Sequence, residues 1–427
     1  MIEIIQADGI IELQYISNIK KRTEAVKDEA YKIVDDILKA VRDRGDEAVT
    51  QYTKSFDKVE LFNFEVTQEE KEEALAIVDE EFMEAMNLAK DNIWDYHEKQ
   101  KQKSWMVTKE DGVIMGQNVR ALERVGIYVP GGTAAYPSTV LMNAIPAKVA
   151  GVKEIIMVTP PTKDGKVNPF ILAAAKIAGV DRIYKIGGAQ AIGALAFGTK
   201  SIPKVDKIVG PGNIYVALAK KNVFGYVDID MIAGPSEILV ISDEDGDATY
   251  IAADLMSQAE HDILASSILI TTSIELAQKV KYQLEVQVEA LSRKDIIKES
   301  LKSYGCILVV DSINKAIELS NLIAPEHLEL MCKDPFELLG EIKNAGSIFL
   351  GKYAPEPLGD YIAGPNHVLP TSGTARFFSP LSADNFIKKS SFLYYTERAL
   401  DKVSAKIIKI ADTEGLTAHS NSIKVRL

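Results

Sequence analysis

The sequence predicts an α/β protein made of two related doubly wound modules, with a helical N-terminal region and a helical C-terminal tail. Three observations carry that expectation. From Val125 to Leu350, short β-branched runs alternate with helical stretches of about 10–20 residues, as βαβ units and parallel sheets require. The runs fall into two consecutive sets of about four. Glycine and proline cluster at the run ends, where parallel strands turn into helices.

The elements follow in order. The first ~110 residues are rich in charge and helical periodicity. Val26–Arg44 and Gln68–Lys103 read as amphipathic helices, with Leu38 and Val41, then Ala74, Ile77, Val78 and Phe82 at helical spacing. His97, in the polar stretch DNIWDYHEKQKQ, reads as an exposed helix histidine. The first strand set is VGIYV (125–129), EIIMV (154–158), RIYKI (182–186) and DKIV (206–209). Helices ending at Ala150, around Pro169–Gly179 and from Ala189 to Phe197 separate its members. The second set is EILVI (237–241), SSILIT (266–271), CILVV (306–310) and SIFL (347–350). Its helices are expected near Asp247–Glu260, Ile274–Leu291, Asn314–Leu322 and Phe336–Asn344. From Ser382 onward the chain reads as helix with no strand run.

Composition narrows the function. At 427 residues with 47% hydrophobic and 26% charged residues, the chain can bury more than one core. A net charge of −12 argues against nucleic acid as the main partner, because phosphate binding needs clustered lysine and arginine. Two cysteines, Cys306 and Cys332, cannot frame a disulfide scaffold and fit a reducing compartment. Cys306 reads as strand core and Cys332 as part of an apolar helical stretch. No signal peptide and no apolar run of about 20 residues is apparent, so a soluble cytoplasmic protein with no membrane partner is expected.

The glycine-rich segments VPGGTAAYPS (129–138), IGGAQAIG (186–193), VGPGN (209–213) and IAGPSE (232–237) stand at strand ends. Such turns let backbone N–H groups approach phosphates, but they also serve plain turn chemistry, and no GxGxxG fingerprint is present. Tyr128, Gln190 and Asn213 are the polar side chains these loops best place against a cofactor.

Histidine is scarce, so its placement is informative. In DLMSQAEHD, Gln258 and His261 are three apart on an expected helix; on these residues alone the plainer reading is a helix-end histidine facing the C-terminal dipole, and the spacing also suits two ligands of one metal ion. In LIAPEHLEL, Glu326 and His327 form a Pro-Glu-His elbow opening a helix, a pair suited to general acid–base chemistry or to simple capping. The aperiodic, proline-rich segment 352–380 carries Asp360 and His367, and a loop of this length inside a compact domain is usually functional. In the tail, Glu414 and His419 accompany Leu416, Ile423 and Val425, which gives that segment the look of a docked one. Gln258, His261, Asp360 and His419 together offer an amide, two imidazoles and a carboxylate, an N/O set suited to zinc or a similar divalent ion.

The motifs VDKIVGPGNIYVALAKK, DMIAGPSEILVI, DLMSQAEHD, APEHLEL, GDYIAGPNHVLPTSGTARFFSPLS and EGLTAHSNSI, in this order, resemble the L-histidinol dehydrogenases from about Val125 to the C-terminus. The resemblance implies oxidation of L-histidinol through a bound aldehyde to L-histidine, with two NAD⁺ and a zinc ion. It implies zinc ligands at Gln258, His261, Asp360 and His419 and an acid–base pair at Glu326 and His327. It further implies substrate contacts at Ser236, Gln258, His261, His327, Asp360, Glu414 and His419, with His367 nearby, and NAD contacts at Tyr128, Gln190 and Asn213. The resemblance further implies that the two doubly wound modules are incomplete Rossmann-like ones, and that the protein is a homodimer, each tail completing its neighbour's site. The expected division is an N-terminal segment 1–21, a metal and catalytic core of 22–124 with 237–381, a second Rossmann-like unit 125–236 and a tail 382–427. Two other classes stay open on the residues alone. A non-haem iron oxygenase could use His261, Asp360 and His419, although Gln258 would crowd the oxygen positions. A non-catalytic metal-binding protein would leave Glu326 and His327 without a task.

Overall fold

The computed structural model describes residues 1–21, 24–131 and 135–427, and the side chains of all of these but 20–21 and 24–28. Residues 132–134, in the first glycine-rich segment, lie outside the described residues. The strands are β1 (Glu3–Gln6), β2 (Trp105–Thr108), β3 (Ile114–Ala121), β4 (Arg124–Tyr128), β5 (Glu154–Val158), β6 (Arg182–Tyr184), β7 (Lys207–Val209), β8 (Asp228–Ile229), β9 (Glu237–Ser242), β10 (Ser266–Thr271), β11 (Gly305–Val309), β12 (His327–Met331), β13 (Ser347–Leu350) and β14 (Ile387–Tyr394).

Two parallel sheets organise the chain, as the alternating pattern predicts. One has the order β6-β5-β4-β7-β8 and the other β1-β11-β10-β9-β12-β13. Counted by appearance, β4–β8 and β9–β13 share one strand order, 3-2-1-4-5. Strands β9 and β10 are buried at every position, as a sheet covered by helices on both faces demands. The third sheet is antiparallel, with the order β14-β3-β2.

Several expectations need correction. The tail is not strand-free: β14 pairs with β3 along its whole length, from Ile387 opposite Ala121 to Tyr394 opposite Ile114. Its side chains are almost all exposed, so it carries no apolar alternation to read. Nor does the Pro-Glu-His elbow open a helix. The helix Ile313–Ile323 ends at Ala324 in a left-handed conformation, and HLELM becomes β12, wholly buried between β9 and β13. A short apolar run after proline cannot be assigned to strand or helix by periodicity. Cys332 therefore follows a strand and is half-buried, whereas Cys306 is buried in β11. The helix expected over Gln68–Lys103 is two, Gln68–Ile77 and Glu80–Glu98, because Asp79 leaves helical conformation to accept a hydrogen bond from the Phe82 N–H. The helix near Phe336–Asn344 shrinks to the turn Pro335–Leu338 and a following 3₁₀ turn.

The packing also divides the chain differently. Val34, Ile37, Val41 and Val49 bury against Ile156, Ile186 and Leu195 of the first parallel sheet and its helices. Met86 and Ile93 join Val125, Ile145 and Met157 on the other face. The N-terminal helices after residue 24 thus cover the β4–β8 sheet rather than the β9–β13 unit. Residues 1–21 do the converse: β1 pairs with β11, and Ile5 and Ile16 pack on Leu239 and Leu308. Among the described residues, no helix is long and apolar enough to cross a membrane.

Candidate active site

The second parallel sheet gathers titratable side chains at its amino edge. Glu326 precedes β12 and His327 is its first residue. The crossover helix Ala248–Ala259 runs back from β9, bringing Gln258 and then His261 to the same edge. The helix Glu356–Tyr361, after β13, adds Glu356 and Asp360. One backbone unit orients both side chains: the Glu237 N–H donates to Glu326 Oε2 at 2.8 Å, and the Glu237 carbonyl accepts from His327 Nδ1 at 3.1 Å. A carbonyl can only accept, so this bond puts the proton of a neutral imidazole on Nδ1. His327 Nε2 is then the nitrogen left to gain or lose a proton; among the described residues it has no hydrogen-bond partner, and it faces Asp360 Oδ1 at 3.7 Å.

Ligand atoms of His261, Glu356 and Asp360 lie within 4.8 Å of one another. Gln258 is fully buried nearby on the helix, and neither its amide oxygen nor its amide nitrogen has a partner. An orphaned buried amide costs about 1–3 kcal/mol, so it marks a place that a ligand completes. His367 donates from Nδ1 to the Asp360 carbonyl at 3.1 Å, and its Nε2 meets Thr139 Oγ1 at 3.4 Å. Thr139 belongs to the helix Pro137–Ala150 of the first sheet, so His367 joins the two halves at this site.

Burial dominates the electrostatics. It pushes the Glu326 carboxyl up to about 8, beyond what His327 and the Glu237 N–H pull back. Burial lowers His327, but the carboxylates of Glu326, Glu356 and Asp360 outweigh it and hold the imidazole well above its usual range. Asp360 shows the reverse balance: burial raises it, while His327, His367 and His261 bring it below the ordinary carboxylate range. Behind the site, Asp254, Glu329 and Glu356 form a buried group of carboxylates. The Glu356 N–H donates to Glu329 Oε1 at 2.9 Å and Ser257 Oγ donates to Glu356 Oε2 at 2.8 Å. Burial pushes all three upward, Asp254 to about 6.

Among the expected site residues, Glu326, His327, Gln258, His261, Asp360 and His367 converge, and Ser236 immediately precedes Glu237 at the same edge. Glu414 and His419 do not join them within the chain; they are exposed on the tail helices. Among the described residues, the cluster one chain assembles is one imidazole and two carboxylates; His419, the second imidazole of a two-histidine triad, is not part of it. Two residues escaped the sequence reading. Glu356 lies between two prolines in the aperiodic segment already singled out, and that segment was its only signal. His97 is fully buried rather than exposed: its Nδ1 meets Gln100 Oε1 at 2.7 Å and its Nε2 meets Asn366 Nδ2 at 3.4 Å, beside His367.

The first parallel sheet carries a cavity of about 830 Å³ at its carboxyl edge. Tyr128 ends β4, Asn213 follows β7 and Gln190 follows β6, and all three line it. This is the point where strand order reverses between β4 and β7, the usual ligand crevice of such sheets. Tyr128 Oη accepts from the Gly188 N–H at 3.0 Å, and burial pushes its hydroxyl up to about 12. Gln190 is fully buried with both amide atoms unpartnered. Asn213 Oδ1 caps the helix Ile214–Val223. Gly210 has φ +114°, and a Cβ there would sit 2.2 Å from the Tyr128 carbonyl oxygen.

The family model described as histidinol dehydrogenase matches residues 20–427. The chain is 64% identical over 426 residues to a histidinol dehydrogenase of Clostridium acetobutylicum, covering 100% of this chain and 99% of that protein. It is 58% identical over 424 residues to one of Bacillus cereus, covering 99% of each. The crystal structure of histidinol dehydrogenase from Elizabethkingia anophelis superposes with a TM-score of 0.93 at 41% identity, covering 100% of this chain and 98% of that one.

Proposed function

Since the chain belongs to the histidinol dehydrogenase family, and is thus an oxidoreductase that oxidises histidinol in histidine biosynthesis, we propose that it does so in two steps. L-Histidinol passes through a bound L-histidinaldehyde to L-histidine, with two NAD⁺ as hydride acceptors and one zinc ion per subunit. The observation that carries this reading is His327: its Nδ1 is committed to the Glu237 carbonyl, its Nε2 is a buried, unpartnered base, and a second buried base, Glu326, lies 3.7 Å from the ring.

Zinc fits the residues present. Gln258 offers an orphaned amide oxygen, and His261 and Asp360 offer converging nitrogen and oxygen donors. These three would hold it, completed by His419 of the partner subunit. Bound there, zinc supplies a template that orients the imidazole and amine of the substrate. In its neutral form, with the ring proton on Nδ1, His327 accepts the hydroxyl proton at Nε2 as hydride leaves the alcohol carbon. Glu326 then accepts a proton from the water that attacks the aldehyde, and a second hydride transfer yields the acid. Two bases suit two oxidations, and a closed site keeps a reactive aldehyde from escaping. Tyr128, Gln190 and Asn213 contact the dinucleotide, while Ser236, His367 and the partner's Glu414 contact the substrate. The shared-site dimer draws support from the exposed apolar side chains Leu416 and Val425, which belong to the same tail segment as the exposed Glu414 and His419 and would otherwise face water.

The test is stoichiometry. Limiting histidinol with excess NAD⁺ should yield two NADH per molecule. One NADH, with free aldehyde accumulating, would overturn the two-step reading.

A further inference from the structure

One wall of the first-sheet cavity is not used by the contacts above. It comes from the N-terminal helices, with Phe56 and Asp57 at the end of the helix Asp46–Phe56. Among the described lining residues, Asp57 is the only carboxylate and Lys163 the only ammonium. Among the described residues, no donor reaches Asp57 Oδ2, and that oxygen is sealed from water. A half-buried acid without a donor is costly, and burial pushes Asp57 up to about 6. The cost is removed if the occupant of the cavity brings hydroxyl donors.

The orientation of such an occupant follows from the rest of the fold. Ala135, in the cavity wall, is two residues before the helix Pro137–Ala150, and Thr139 of that helix touches His367 of the second sheet's cluster. The nicotinamide must therefore leave the cavity on that side. The adenosine half is left for the wall of Phe56 and Asp57, where the rings of Phe56 and Tyr215 are exposed and able to flank a base. The donors nearest Asp57 are then the two ribose hydroxyls. A 2′-phosphate would bring a dianion against a carboxylate that has no cation of its own.

Resting on the NAD reading above, we propose that Asp57 reads the adenosine ribose: it accepts the 2′- and 3′-hydroxyls, rejects a 2′-phosphate, and so sets the preference for NAD⁺ over NADP⁺. It is a specificity determinant remote from the reacting carbon. An isosteric change should accordingly alter nucleotide KM far more than kcat.

The experiment uses the full-length enzyme and compares wild type with Asp57→Asn and Asp57→Ser. Loss of a hydrogen bond to a charged group predicts a rise of about tenfold to a hundredfold in KM for NAD⁺. The ratio of kcat/KM for NAD⁺ to that for NADP⁺ should fall by at least as much, with KM for histidinol unchanged. Calorimetric titration with ADP-ribose and its 2′-phosphorylated analogue gives a readout free of turnover. Wild type should prefer ADP-ribose, and both variants should lose the preference. An unchanged preference in both folded variants overturns the role of Asp57. If the wild type binds neither ligand and reduces neither dinucleotide, the underlying NAD reading fails instead. If Asp57→Asn is unstable, Asp57→Ser carries the comparison; equal KM values for that variant and wild type also overturn the proposal.

Discussion

The first parallel sheet gathers its polar side chains beyond the carboxyl ends of its strands, whereas the second gathers them at the amino ends. The strand order is the same in both, so topology alone does not choose the working edge. The crossover helices account for the difference. At a carboxyl edge they begin, presenting unpaired N–H groups and the positive end of the helix dipole; Gly188 and Asn213 stand at two such starts. That suits an anionic dinucleotide. At an amino edge the same helices end, presenting carbonyls and the negative end; the helix carrying Gln258 stops at Ala259, just before His261. Carboxylates reinforce it there, which suits a metal cation and an amine-bearing substrate.

The largest effect should come from the chemical edge. His327→Asn removes the unpartnered base and should lower single-turnover rates of both oxidations by about 10²–10⁴. Glu326→Gln should slow oxidation of supplied histidinaldehyde far more than the first hydride transfer. Because burial holds the Glu326 carboxyl near 8, its basic form grows as pH rises through that value. The aldehyde step should accelerate across this window in wild type and be flat in Glu326→Gln. Equal slowing of the alcohol step, or an unchanged pH profile, would break the division of labour.

The second prediction concerns the binding edge. Lys220 and Asp230 form a buried ion pair that grips the Gly210 peptide: Lys220 Nζ donates to the Gly210 carbonyl at 2.8 Å, and Asp230 Oδ2 accepts the Gly210 N–H at 2.8 Å. This clamp holds the loop carrying Asn213. Lys220→Met leaves a buried carboxylate unpaired and should cost about 3–5 kcal/mol in denaturant unfolding. In the folded fraction it should raise KM for NAD⁺ and leave KM for histidinol unchanged. An equal rise in both would mean the two edges are not separable.

How much of this was legible depended on whether a residue's neighbours were near in sequence. The strands of both sheets stood out because buried parallel strands are continuous apolar runs, as EILVI and SSILIT are. The turns holding Tyr128, Gln190 and Asn213 stood out through their glycines. Glu326, His327 and Asp360 were marked by motif. Long-range partners were silent. Nothing local reports that EIIQ at the N-terminus pairs with β11, or that the exposed IKKSSFLY pairs with β3. His97 looked exposed because its burying partner, Asn366, lies 269 residues away. Glu356 was hidden because a carboxylate between prolines has no periodicity; only Glu329 and Ser257, distant in sequence, give it a place.

A smaller effect tests whether the catalytic edge is shared between subunits. His327→Ala and His419→Ala chains, each inactive alone, should recover about a quarter of wild-type activity on co-expression. Random pairing makes half the dimers mixed, each with one intact site of two. Demonstrated heterodimers without activity would return the exposed Glu414 and His419 to a purely surface role.

The smallest effect separates the carboxylates behind the site from those within it. Asp254 and Glu329 are buried side by side, each with an oxygen lacking a donor, and burial raises both. The native state therefore keeps a proton that the unfolded chain releases near pH 4. From about pH 4 to at least about 6 the folded form binds more protons than the unfolded form, so stability must fall as pH rises across that window. Asp254→Asn supplies a permanent donor to Glu329 and removes that slope. Its gain should be small near pH 4 and reach about 1–3 kcal/mol by pH 7, the upper figure being the whole shift of Asp254. Turnover should change little, because Asp254 touches neither substrate nor acid–base pair. Parallel wild-type and variant stability curves would show that the proton is not held there. A large loss of kcat would instead place Asp254 within the chemistry, and the catalytic edge would extend one layer deeper than His327 and Glu356.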